Sequence, residues 1–281
     1  MGLLKFTKEE EKRIIVPLAE KLMKIHDHSS TTIIGMQGGQ GTGKTTIVNF
    51  LRKELQKRGY KVASFSIDDF YTSWNERKKL QQKYPNNPFY QISRGMPGTH
   101  RIKELLSVLK KAKAGKPFVI PQFDKSINKG IGDISKKTKK ITKKLDFLLF
   151  EGWCVGLPLV SSKELVRICN KNKVNLKEID PSLKYHNVML QYSKNYQAIW
   201  KLLNYKVMIR PPSLGVHKEW RALQERRLCK KKGQCMNPEE INHFIDIYLP
   251  LTVVCYEKIK PNSTIFVDKK HNYYKVEFIS N

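Results

Sequence analysis

Acidic residues are scarce in this chain. Its 281 residues hold 25 Asp and Glu against 53 Lys and Arg, a formal net charge of +28. Long apolar runs are lacking as well. None reaches the roughly 18 residues that a membrane-spanning helix needs, so no membrane partner is expected. Cysteine is sparse, with five in all and no C-x-x-C pair, the closest being Cys229 and Cys235. All five are expected as free thiols in a reducing cytoplasm. Residues 1–13 are charged from the start and carry no apolar h-region, so no signal peptide is expected. Internal repeats and low-complexity linkers are also missing. The length then fits a single domain, residues 1–281, built around one substantial core.

The basic excess raises the question of nucleic acid. Its densest run, residues 136–144, contains no aromatic side chain on which a base would stack, and lysines elsewhere are scattered. No nucleic-acid partner is expected. A small anionic ligand would still be drawn to such a field.

The stretch that organises the chain is Gly38-Gly39-Gln40-Gly41-Thr42-Gly43-Lys44-Thr45-Thr46, a G-x-x-x-x-G-K-T pattern. Apolar and β-branched residues (Thr31, Thr32, Ile33, Ile34) precede it, and a helix-like run (Ile47, Val48, Phe50, Leu51, Leu55) follows. Strand, Gly-rich loop and helix is the context in which backbone N–H groups cradle phosphate. Residues 38–46 are therefore the expected nucleotide site. Lys44 would meet the β/γ-phosphates and Thr45 would hold Mg²⁺, with ATP as the nucleotide.

Around this loop the pattern is α/β. Thr7 with Glu10 has capping-box spacing, and Ile14, Ile15, Leu18, Leu22 and Ile25 recur at helical intervals. His26 and His28 read as surface residues before the first strand. Residues 61–67 form a second strand ending at Asp68 and Asp69, and residues 145–151 a buried one ending at Glu151. Ligands of open α/β sheets gather at the carboxyl ends of strands. One of the acidic pair is thus a candidate base or metal ligand, with a helix N-cap as its alternative. Glu151 is a candidate Mg²⁺ ligand. Arg94 and His100 flank a Gly/Pro loop, Asp124 and Lys125 follow an apolar strand, and Asp133 lies in a loop behind Gly130 and Gly132. A guanidinium there suits a carboxylate, and the carboxylates suit hydroxyls.

Residues 161–204 read as a helical insert whose Tyr185, Met189, Tyr192, Tyr196, Ile199 and Leu203 form core. Residues 205–210 make another strand. Residues 215–232 are a basic helix with Trp220 and Leu223 inward. Asn237 and Pro238 open a capped helix, and residues 264–267 and 273–279 make closing strands. The expected fold class is α/β of the P-loop type: a mainly parallel sheet, helices on both faces, and a helical lid.

The sequence 66–71 (Ser-Ile-Asp-Asp-Phe-Tyr) behind such a loop resembles the small-molecule kinases that include uridine kinases, phosphoribulokinases and pantothenate kinases. Arg94-Gly-Met-Pro-Gly-Thr-His100, Pro121-Gln-Phe-Asp-Lys-Ser126, Gly130-Ile-Gly-Asp133 and Phe150-Glu-Gly-Trp153 are similar to motifs of the D-glycerate 3-kinase family, in order over nearly the whole chain. The resemblance implies an ATP-dependent kinase acting on a hydroxyl of glycerate or a similar small metabolite. It implies Asp68 as the catalytic base beside Lys44, and an acceptor site from Asp69, Tyr71, Arg94, Thr99, His100, Asp124, Lys125 and Asp133. It also implies a lid over ATP from which Arg221, Arg226 or Arg227 neutralises phosphate charge. Two positions depart from the family pattern: Arg101 stands where an Asp usually follows His100, and Ile134 where an Arg usually follows Asp133. The alternatives are a kinase for another small alcohol such as a nucleoside or sugar, or a basic nucleic-acid-binding or regulatory ATPase.

Overall fold

The computed structural model describes residues 6–91, 94–232 and 235–279, the side chains of 227, 228 and 230–232 excepted. The chain opens on one continuous helical stretch made of α1 (Lys8–Glu10), a π-helical turn (Glu11–Ile15) and α2 (Val16–Ile25). Thr7 starts it with the expected capping box: Glu10 N–H donates to Thr7 Oγ1, and Thr7 N–H donates to the Glu10 carboxylate. Then come β1 (Thr32–Gly38), α3 (Lys44–Lys57) and β2 (Val62–Ser66). A 3₁₀ turn (Ile67–Phe70), α4 (Trp74–Lys83), α5 (Pro88–Gln91) and α6 (Ile102–Lys113) lead to β3 (Phe118–Asp124) and β4 (Asp133–Ile141). After β5 (Phe147–Gly152) the insert forms α7 (Ser162–Lys171), α8 (Leu176–Ile179), α9 (Lys184–Ser193) and α10 (Gln197–Trp200). The chain then runs through β6 (Tyr205–Arg210), α11 (Val216–Lys232), α12 (Pro238–Lys258), β7 (Ser263–Val267) and β8 (Tyr273–Phe278).

Six strands form one sheet in the order β2-β5-β1-β6-β7-β8. Every neighbouring pair is parallel except β7 with β8. β1 and β5 are buried along their whole length, which is why they read as unbroken apolar runs. Alternation along each strand divides the core in two. Ile34, Met36, Leu149, Val207 and Ile209 face the layer holding α2 and α3, with Leu18, Leu22, Ile47 and Leu51. Ile33, Leu148, Phe150 and Met208 face the opposite layer, with the insert and α12. β1 connects outward to β2 on one side, and the chain later crosses from β5 to β6 on its other side, so the strand order reverses at β1. The crevice at its carboxyl end is where such a sheet binds ligands, and residues 39–43 lie there.

Four expectations are corrected. The strand before Asp124 belongs to a separate two-stranded antiparallel hairpin with β4, outside the main sheet. The lysine run 136–144 supplies the exposed outer strand of that hairpin. His26 is buried, not on the surface: its Nδ1 lies 2.8 Å from Thr32 Oγ1 and its ring packs on Phe147, because α2 ends against the amino-terminal ends of β1 and β5. In α11, Trp220 is buried as expected, but Leu223 is exposed; the helix buries a narrow stripe through Val216, His217 and Trp220. Finally, Cys229 and Cys235 are joined by a disulfide where α11 gives way to α12, while Cys154, Cys169 and Cys255 are free and buried. A C-x₅-C spacing carries no signal for that pairing.

Candidate active site

The β1–α3 loop folds as its glycines dictate. Gly41 and Gly43 take φ of 79° and 81°, the left-handed region that a Cβ disfavours. Lys44 Nζ donates to the carbonyls of Gly38 and Gly39 at 2.9 and 3.1 Å. Burial pushes its pKa down, against the opposing pull of Glu151 and Asp68. Thr45 Oγ1 donates to Glu151 Oε1 at 3.0 Å, joining the start of α3 to the end of β5. Burial raises the Glu151 pKa, and Lys44 offsets part of that. Thr46 is buried and faces the core.

Asp68 stands at the end of β2. Tyr71 Oη donates to its Oδ1 at 2.9 Å, and Lys125 Nζ reaches Oδ2 at 2.6 Å. Burial alone would raise its pKa; Lys125, His100 and the Tyr71 hydroxyl outweigh it and hold the group at about 2. Lys125, on the loop after β3, is thereby brought to the β2 end from 57 residues away. His100 pairs in an isolated bridge with Tyr71, and their rings stack at 4.6 Å. The ring is buried, with Nδ1 2.7 Å from Tyr196 Oη and Nε2 without a partner. Burial lowers its pKa to about 4, so it is neutral at pH 7.

Several expected acceptor residues make hydrogen bonds to backbone. Asp69 accepts from the N–H groups of Ser66 and Phe123, tying β2 to the hairpin, and its pKa is raised by burial. It is not the N-cap of α4; Ser73 is. Thr99 Oγ1 donates to Met96 O at 2.7 Å and accepts from Gly95 N–H, closing the Gly/Pro loop on itself. Arg94 donates to the carbonyls of Gly130 and Ile131. Asp124 accepts from the N–H and hydroxyl of Ser126. Asp133 Oδ1 accepts from Trp74 N–H at 3.0 Å and Ile134 N–H at 2.8 Å, capping α4. Arg221 pairs with Glu225 at 2.6 Å and lies 4.6 Å from the Phe244 ring; burial lowers its pKa. Arg226 is exposed, and the Arg227 side chain lies outside the described residues. The Arg101 guanidinium donates to the carbonyls of Tyr71 and Asp69 and pairs with Glu104.

Sequence reasoning missed a second group. Arg77 is buried in α4 and donates to the carbonyls of Thr72, Ile131 and Gly132, its guanidinium 5.1 Å from the Phe123 ring. Nothing in its lysine-rich surroundings marks it. Tyr196 and Tyr248 read as apolar-face aromatics, yet Tyr248 Oη donates to Arg94 O at 2.9 Å. His217, Tyr256, His271 and Tyr273 touch the phosphate loop from the C-terminal third.

Among the described residues no group of three or more His, Cys, Asp or Glu could hold a metal ion. Mg²⁺ binds through one or two protein oxygens and completes its shell with water and phosphate. Thr45 Oγ1 beside the buried Glu151 carboxylate is such a pair.

A phosphate loop at the switch point of a parallel sheet, with an acid at the end of a neighbouring strand, defines a P-loop nucleotide-binding protein. The match to a known family agrees: residues 12–267 fit the KAP family P-loop domain, and the chain belongs to that family. It is 34% identical over 224 residues to an uncharacterized kinase of Schizosaccharomyces pombe, covering 78% of each chain. It is 31% identical to the chloroplastic D-glycerate 3-kinase of Arabidopsis thaliana over 84% of this chain and 50% of that protein. The solved D-glycerate 3-kinase of Cryptococcus neoformans superposes with a TM-score of 0.84 at 26% identity, covering 98% of this chain and 100% of that one. The phosphoribulokinase of Rhodobacter spheroides shares the fold alone, at TM-score 0.50 and 10% identity. The protein is therefore an ATP-binding P-loop kinase of the small-molecule type, homologous to D-glycerate 3-kinase.

Proposed function

We propose that the protein transfers the ATP γ-phosphoryl group to a hydroxyl of a small anionic alcohol, D-glycerate. Lys44 leaves the carbonyls of Gly38 and Gly39 when triphosphate arrives and neutralises its charge. Thr45 and Glu151 would hold Mg²⁺, which supplies charge neutralisation on the phosphates. Asp68 receives the acceptor hydroxyl and orients it in line, so that most of the rate comes from positioning. Neutral His100 lines the same pocket and carries no charge of its own.

The observation that carries this reading is Asp68 held between Tyr71 and Lys125. A carboxylate at about 2 is a weak proton acceptor, since a base works best near the operating pH. A substrate carboxylate that drew Lys125 towards itself would relieve that depression and make Asp68 more basic as the acceptor binds. An anionic acceptor is thus built into the chemistry, and D-glycerate is the one that the homologues supply. Arg101, bound to backbone, leaves the acceptor's anion to Lys125.

A coupled ATPase assay across D-glycerate, glycerol, uridine and pantothenate tests this. Glycerol differs from glycerate in lacking the carboxylate. Turnover of glycerate but not glycerol is expected; equal turnover of both removes the role given to Lys125. The departures at Arg101 and Ile134 favour trying other anionic sugar acids in the same assay.

A further inference from the structure

The phosphate loop is held from behind by a hydrogen-bonded ring whose proton directions are all fixed. Gly39 N–H donates to Tyr256 Oη at 3.0 Å. A carbonyl only accepts, so the 2.7 Å contact between His217 Nδ1 and Gln40 O places a proton on Nδ1. His217 is 1% exposed and neutral at pH 7, because burial and the nearby Lys44 lower its pKa to about 4. Its Nε2 is then a bare lone pair, and the Tyr256 hydroxyl, 3.3 Å away, donates to it. The path runs from the Gly39 amide through Tyr256 and His217 to the Gln40 carbonyl and closes through the peptide between them.

Two further observations support a dedicated arrangement. A Cβ on Gly39 would lie 2.3 Å from His217 Cε1 and 2.9 Å from Tyr256 Oη. Glycine is required there by close approach, since its φ is not among the positive ones. The next two carbonyls are held in the same way, Gly41 O by His271 Nε2 at 2.8 Å and Thr42 O by the Tyr273 hydroxyl at 3.0 Å. A loop that turns its N–H groups inward to phosphate must turn its carbonyls outward, and buried carbonyls need donors. His217, His271 and Tyr273 provide them from α11, the loop before β8 and β8 itself, while Tyr256 of α12 accepts the Gly39 N–H.

We infer that His217 and Tyr256 are positioning residues for nucleotide binding, which set the phosphate loop in its binding form through a ring of fixed proton direction. His217 sits in the first turn of α11, so the ring also joins that helix to the phosphate site. The inference rests on nucleotide binding by the loop, not on the identity of the acceptor, and its test uses no acceptor.

Binding of a non-hydrolysable ATP analogue to the full chain is measured by calorimetry. Tyr256→Phe and His217→Ala are each expected to weaken it about tenfold, the effect of one to two hydrogen bonds. His217→Asn keeps a donor near the Nδ1 position and should recover part of the loss, which a merely space-filling role would not predict. Independently of any variant, ¹⁵N shifts of the wild-type imidazole should report His217 protonated on Nδ1 alone. Variant affinities within twofold of wild type, or a proton on Nε2, overturn the inference.

Discussion

Asp68 has two interactions of different kinds: a hydrogen bond from the Tyr71 hydroxyl and the charge of the Lys125 ammonium. Both favour its ionised form, so it is a carboxylate at any working pH. Asp68→Asn keeps the shape and removes the charge, and a positioned base or orienting acid contributes about 10²–10⁴ in rate. Single-turnover assays should show that loss in phosphoryl transfer, with ATP-analogue affinity within a few-fold of wild type. Transfer at the wild-type rate would assign the role elsewhere. The buried histidines make a second prediction. His100 and His217 are lowered from 6.5 to about 4, so the unfolded chain binds protons that the folded one refuses. Their stabilising contribution is fully present above pH 6.5 and is lost as pH falls towards 4, up to about 3 kcal/mol for each. Urea unfolding at pH 7, 6 and 5 should show stability falling through that window; a flat profile would mean that these imidazoles are accessible to protons. Asp68 acts in the same direction further down, between its ordinary value of 3.8 and about 2.

The hairpin β3–β4 shows what was and was not legible in the sequence at the scale of elements. Alternating apolar residues, Phe118 and Ile120, marked β3. The lysine run 136–144 gave no sign of a strand, because β4 is an exposed outer strand whose partner supplies the buried face. Arg77 anchors the hairpin's connecting loop through the carbonyls of Ile131 and Gly132, and α4 through Thr72. Its neighbours are Lys78, Lys79 and Lys83, and a single helix position cannot announce that tertiary carbonyls await it. Arg77→Leu leaves those carbonyls unpaired, at about 1–3 kcal/mol for each that water cannot reach. We expect a loss of about 2–4 kcal/mol by urea unfolding. The KM for the acceptor should rise because Asp133 and Lys125 flank this loop, and ATP-analogue affinity should be little changed. An unaltered acceptor KM would separate the hairpin from the acceptor site. By contrast the capping boxes at Thr7 and Asn237 were readable in advance, since a cap is a local contract between residues three apart.

Across the whole molecule, the mainly parallel sheet with helices on both faces was legible from the apolar runs and the phosphate loop, because a buried parallel strand must be apolar along its length; the strand order was not. The donor half of the site was legible for the same reason: the β1–α3 loop and the end of β5 are contiguous in sequence with the strands that place them. The acceptor half was legible only as motifs. Arg94, Thr99, Asp69 and Asp133 proved to hold the scaffold around Asp68 and Lys125. The residues that brace the loop, His217, Tyr256, His271 and Tyr273, lie more than 170 residues downstream, where no local pattern connects them to it. The net charge of +28 suits a site that gathers two anions, and its pull weakens with salt. The most direct measurement is the steady-state rate of ADP formation with saturating MgATP and D-glycerate or glycerol, in wild type and Lys125→Ala. The account predicts glycerate-dependent turnover in wild type, none above background with glycerol, and loss of glycerate turnover in the variant. Glycerate turnover absent from wild type, or unaffected by Lys125→Ala, would contradict it.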